Sequence, residues 1–95
     1  MVKREDAVAT IGYDGASALV DKTARARFGR LSVQELIDEG QYRAAAAAAV
    51  RSGQRSDLEL VAAAYNAASK SGYHAEAIPR LFGVASVDIR RVVQL

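Results

Sequence analysis

The chain offers few side chains suited to covalent or acid–base chemistry. His74 is the single histidine, it follows Gly72-Tyr73 with no Ser–Asp arrangement around it, and the 95 residues contain no cysteine. A metal site there would need carboxylates such as Glu76 to converge from elsewhere, and the spacing suggests none. The acids are scattered, with no pair set for general acid/base work. Gly12-x-x-Gly15 lies within a strand-like segment and not ahead of a helix, so it is no phosphate loop. These residues predict a non-enzymatic protein with no metal, no cofactor and no small-molecule substrate.

The cations are better organised. Lys22, Arg25, Arg27 and Arg30 surround Phe28 with no acid among them. Four cations about one aromatic ring can grip a phosphate backbone while the ring stacks on a base. The competing reading is a solvated connector over 22–30 whose Phe28 plugs the core, and for Phe28 that reading is preferred. Residues 1–39 carry six basic and seven acidic side chains, and residues 40–95 carry seven and four. A net charge of +2 is too mild to define a nucleic-acid binder by itself. Ten arginines against three lysines, with 20 alanines, fit a GC-rich bacterial genome.

A more specific pattern lies at the C-terminal end, Ala75-Glu76-Ala77-Ile78-Pro79-Arg80-Leu81-Phe82-Gly83-Val84-Ala85-Ser86-Val87-Asp88-Ile89-Arg90-Arg91-Val92-Val93. Ile78, Phe82, Gly83, Val84, Ile89 and Val92 stand where the helix-turn-helix motif of bacterial DNA-binding regulators places its apolar residues and its turn glycine. The resemblance covers about 20 residues, with the helix at 57–71 as a supporting first helix. It implies double-stranded DNA as the partner. Arg90, Arg91 and Gln94 would face the major groove, Arg80 would hold a phosphate, and Arg25, Arg27, Arg30 and Lys22 would assist. Pro79 departs from the family's small residue and should kink or restart the helix there.

The elements that must position these groups follow from punctuation and periodicity. Ala7–Tyr13 and Ala16–Asp21 read as a β-hairpin over 7–21 about an Asp14-Gly15 turn, with Tyr13 opposite Ala16, Ile11 opposite Ala18 and Ala9 opposite Val20. Leu31-Ser32-Val33-Gln34-Glu35-Leu36 is a helix start with a capping box and a hydrophobic staple. That helix should stop at Gly40. Others should span about Gln41–Ser52, a stretch opened by a second capping box at Ser56-Asp57-Leu58-Glu59 and ended by Gly72, Tyr73–Phe82, and Ser86 to the C-terminal residue. In the third helix Leu58, Val61, Ala62, Tyr65 and Ala68 form an apolar stripe, which marks it as the expected centre of the fold. Ala44–Ala49 should serve close intramolecular packing. Residues 42–53 and 61–72 look alike through alanine bias and form no repeat.

The expected architecture is therefore a single α+β domain, predominantly helical, with an N-terminal two-stranded hairpin, a basic connector and a helical part over 32–95. About five short helices are expected, the last three making a compact tri-helical unit. A lone ribbon is barely stable in water. A homodimer is accordingly expected, its interface formed by Val8, Thr10, Ile11, Tyr13, Leu19 and Val20. With 51% apolar residues, no run suited to crossing a bilayer and a charged start at Met1–Asp6, a cytoplasmic location is expected. Two functional classes stand at this point: a small DNA-binding or regulatory protein, and a non-enzymatic interaction or assembly module with no nucleic-acid role.

Overall fold

A computed structural model describes residues 3–84 and 91–95. It is an α+β, mostly helical fold that begins with a short helix and an antiparallel hairpin. Helix α1 spans Arg4–Val8, in the segment where the hairpin was expected to begin, so the first strand starts at Thr10 and not at Ala7. Five residues cannot hold a helix by themselves. Tertiary bonds hold this one: the Arg4 guanidinium donates to the carbonyls of Gly29 (2.9 Å) and Leu31 (2.6 Å), and Thr10 Oγ1 donates to the Asp6 carbonyl (2.7 Å).

Strands β1 (Thr10–Asp14) and β2 (Ser17–Val20) pair antiparallel, but the turn is Gly15-Ala16 and not Asp14-Gly15. Gly15 alone takes a positive φ (+59°), the sign pattern of a type II′ turn, which places glycine first of the two central residues. Tyr13 therefore faces Ala18, two residues along from the expected Ala16. A shift of two preserves which side chains share a face. Between Thr10↔Val20 and Gly12↔Leu19 the register slips by one, leaving Ile11 as a bulge.

The basic segment is not a connector. Lys22–Phe28 forms helix α2, because Asp21 Oδ1 accepts the amides of Thr23 (2.9 Å) and Ala24 (3.1 Å) and so caps its start. Gly29 ends it beneath α1, where a Cβ would stand 2.9 Å from the Glu5 Cβ. Helix α3 (Val33–Asp38) carries the expected capping box: the Glu35 amide donates to Ser32 Oγ at 3.1 Å and the Ser32 amide to Glu35 Oε1 at 3.0 Å.

Helix α4 (Tyr42–Ser52) is the centre of the fold, in place of the helix that follows it. Ala45, Ala46, Ala48 and Ala49 are all buried, and their small side chains let α1, α3 and the next helix approach closely. Helix α5 (Arg55–Ser69) buries only Val61 and Ala62 among its own residues. It starts at Arg55 without the Ser56 capping box and closes on Lys70 in the left-handed region (φ +57°), before the expected Gly72. Tyr65 joins Tyr42 (5.5 Å between centroids) and Phe82 (5.0 Å) edge to face. In place of the single helix expected over Tyr73–Phe82, a 3₁₀ turn at Ala75–Ala77 leads into a short α6 (Ile78–Leu81) with Pro79 in its first turn.

The expected last helix is overturned over Arg91–Gln94. These residues form strand β3, parallel to β2, with Ala18↔Val92 and Leu19↔Val93 as partners, and the Leu95 amide donates to the Val20 carbonyl (2.9 Å). Adjacent valines favour an extended chain, and the helices between β2 and β3 supply the long crossover that a parallel pair requires. The third helix of the expected tri-helical unit is thus missing over these positions. The remainder of that stretch, with Ile89 and Arg90, lies outside the described residues. The sheet has the order β1-β2-β3, so β2 is central and already has a neighbour on each side.

Candidate functional site

The cations expected to meet one partner are spread over several environments. Arg25 is committed within the chain: its Nε lies 2.7 Å from Asp6 Oδ1 and its Nη2 3.8 Å from Glu5 Oε2. Arg27 lies over the Phe28 ring, 5.0 Å from its centroid, while Phe28 itself is partly buried against the core. Lys22, Arg27 and Arg30 are exposed on and after α2, and Arg80 is exposed on α6. Arg90 lies outside the described residues. Positions 91 and 94 belong to β3, not to a recognition helix.

The six residues expected at a subunit interface also divide. Val8 and Val20 are buried inside the chain and have no surface to offer. Thr10 is half-buried and bonded to Asp6, and Leu19 is half-buried in the central strand. Ile11 (52% exposed) and Tyr13 (36%) remain accessible on β1, whose outer edge pairs with no other strand among the described residues.

Two carboxylates are held below their usual range. For Glu35 the causes are the Ser32 backbone amide, then the Ser32 hydroxyl; for Glu76 they are its own backbone amide, then the Arg55 guanidinium. Arg55 in turn bridges Glu59 and Glu76 and is held above its usual range by Glu76. These are exposed structural links. His74 is exposed, and among the described residues no three His, Asp or Glu side chains gather as a metal site. No helix among those residues is long and apolar enough to cross a membrane.

A concavity lies where β1, α2 and the start of α4 meet. It encloses about 130 Å³ and is lined by Val8, Ala9, Thr10, Ile11, Ala24, Phe28, Gln41, Arg43 and Ala44. Six of the nine described residues that line it are apolar and Arg43 is the only charged one, while polar and apolar atoms share its exposed wall almost evenly. The Arg43 Nη1 donates to the Ile11 carbonyl (3.2 Å), which fixes the guanidinium beside the bulge. Unlike Arg25 and Arg55, Arg43 has no carboxylate at ion-pair distance among the described residues. Chemically, this is an open slot of mixed polarity, with apolar side chains at its base and, at the margin of the β1 edge, one guanidinium that forms no ion pair among the described residues.

Sequence reasoning missed this site because its three sides come from residues 8–11, 24–28 and 41–44. The available signal was Arg43 itself, the one charged residue between Gln41 and Val50. Comparison with known proteins found no matching family model, no matching curated protein and no matching solved structure.

Proposed function

We propose that this chain is a non-enzymatic protein-interaction module that docks an extended polypeptide segment along the outer edge of β1. The observation that carries this reading is the coincidence of that unpaired edge, bearing exposed Ile11 and Tyr13, with the cleft that Thr10 and Ile11 help to line. An open edge supplies main-chain hydrogen bonds to an added strand, and a neighbouring pocket selects its side chains. The scattered exposed cations and the strand at 91–94 favour this reading over one built on a recognition helix.

The test is a library of random heptapeptides panned against the chain, with each binder's footprint mapped by amide hydrogen exchange. The expected binders slow exchange at Tyr13, whose amide faces the open edge, since Gly12 and Asp14 direct their amides to β2. Binders whose protection maps only elsewhere, or a library that yields none, would overturn the proposal.

A further inference from the structure

The cleft beside β1 has the attributes of a receptor for a chain end. We infer that the docked segment terminates there, its last residue placing an apolar side chain in the cleft and its terminal carboxylate on Arg43. This rests on the docking edge proposed above and specifies what binds it.

Size comes first. The cleft encloses about 130 Å³, and an apolar protein cavity of roughly 150 Å³ accepts benzene. One aromatic ring or one branched aliphatic side chain therefore fills it, against Val8, Ala24, Phe28 and Ala44.

Charge comes second. A guanidinium has five N–H donors, and Arg43 spends one on the Ile11 carbonyl. The others are left for a carboxylate, for which the planar fork is well matched.

The third argument is where an added strand must stop. The Arg43–Ile11 bond occupies the carbonyl that a longer ladder would need, and the bulge at Ile11 breaks the register at the same place. A segment pairing along Gly12–Asp14 therefore reaches its limit beside Arg43. A terminal residue carries its side chain and its carboxylate on one Cα, so the two can enter the slot and meet the guanidinium together. An internal acidic residue cannot do this, because in an extended chain the adjacent apolar side chain points to the opposite face.

The test uses the full chain, isotope-labelled for amide NMR, titrated with an N-acetylated tetrapeptide ending in phenylalanine, the same peptide as its C-terminal amide, and 3-phenylpropionate. The acid peptide is expected to shift the amides of residues 8–11, 24–28 and 41–44 and to bind at least roughly tenfold more tightly than the amide. Arg43→Gln should remove that preference, Arg43→Lys should restore part of it, and Ala24→Leu should block the acid peptide by filling the slot. Dispersed amide spectra check that each variant is folded. Acid and amide binding within twofold of each other would overturn the inference, while protection of the Tyr13 amide by both would leave the docking edge standing. Equal affinity for 3-phenylpropionate would overturn it in favour of a free small acid. No shift with either peptide at millimolar concentration would overturn it as well, with the heptapeptide library still deciding the docking edge.

Discussion

The Arg25 guanidinium meets the Asp6 carboxylate at 2.7 Å, and the Asp6 side chain is only 9% exposed. The pair joins α1 to α2, and it takes the arginine out of the exposed basic cluster to which the sequence assigns it. Losing one partner strands the other: Arg25→Ala leaves a carboxylate largely cut off from water. The expected cost is about 2–3 kcal/mol, less than for a fully buried pair because Arg25 is one-third exposed. Urea unfolding of Arg25→Ala, Asp6→Ala and the double variant checks this. The double variant should lose less than the two single losses together.

The alanines of α4 are predicted to be intolerant of size in a face-dependent way. Ala49→Leu, at a position with no exposure, should destabilise by about 1–3 kcal/mol through overpacking. Ala47→Leu, at a half-buried position, should cost under about 1 kcal/mol. Equal losses in thermal melts of the two would contradict close helix packing on the buried face.

Gly29 should resist the mildest enlargement. Its φ is ordinary (−59°), so the obstacle is steric: the added methyl would stand 2.5 Å from the Arg25 carbonyl oxygen and 2.9 Å from the Glu5 Cβ. Gly29→Ala is expected to cost about 1–3 kcal/mol as the last turn of α2 distorts and α1 is pushed away. Faster amide exchange in residues 4–8 would report the displacement directly.

The capping box gives a pH dependence. Ser32 holds the Glu35 carboxyl below its usual range, so the carboxylate binds protons less readily folded than unfolded. Its contribution is therefore present above the unfolded value, about 4.3 for a glutamate, and is lost as the pH falls through the lower folded value. Urea midpoints of the parent chain and Glu35→Ala should differ at neutral pH and converge near pH 3. A gap unchanged by acid would refute the assignment.

Groove recognition of DNA should be absent. With β3 in place of a recognition helix, Arg80→Ala and Arg91→Ala are expected to leave the affinity for random duplex DNA unchanged at low salt. Fluorescence anisotropy across salt concentrations measures it, and a steep salt slope reduced by either variant would reinstate the nucleic-acid reading.

What could be read from residue order alone was whatever short-range chemistry decides. Ser32 and Glu35 are three apart and cap each other wherever the rest of the chain goes. The packing role of Ala44–Ala49 and the core contact of Phe28 likewise follow from side-chain size and polarity. Distant partners decided the rest. Helix α1 exists because Arg4 reaches carbonyls more than twenty residues away. Val92-Val93 is a short apolar run that suits a helix or a strand, and the free edge of β2 chooses the strand. The cleft was illegible because no two of its walls are neighbours in the chain, and the bulge that opens it depends on a turn only one residue away from the one expected.

The parallel pairing of β2 with β3 also orders events in time. Ser17–Val20 can meet Arg91–Gln94 only after the intervening helices have formed a path that returns the chain to the sheet. Contacts of such long sequence separation form slowly, because loop-closure entropy is lost before the pairing compensates for it. During synthesis the hairpin and α2 through α6 emerge first, with one edge of β2 bare. A newly made copy is then most exposed to pairing with another copy in the interval before β3 arrives, and the docking of β3 works as the closing step that ends that exposure.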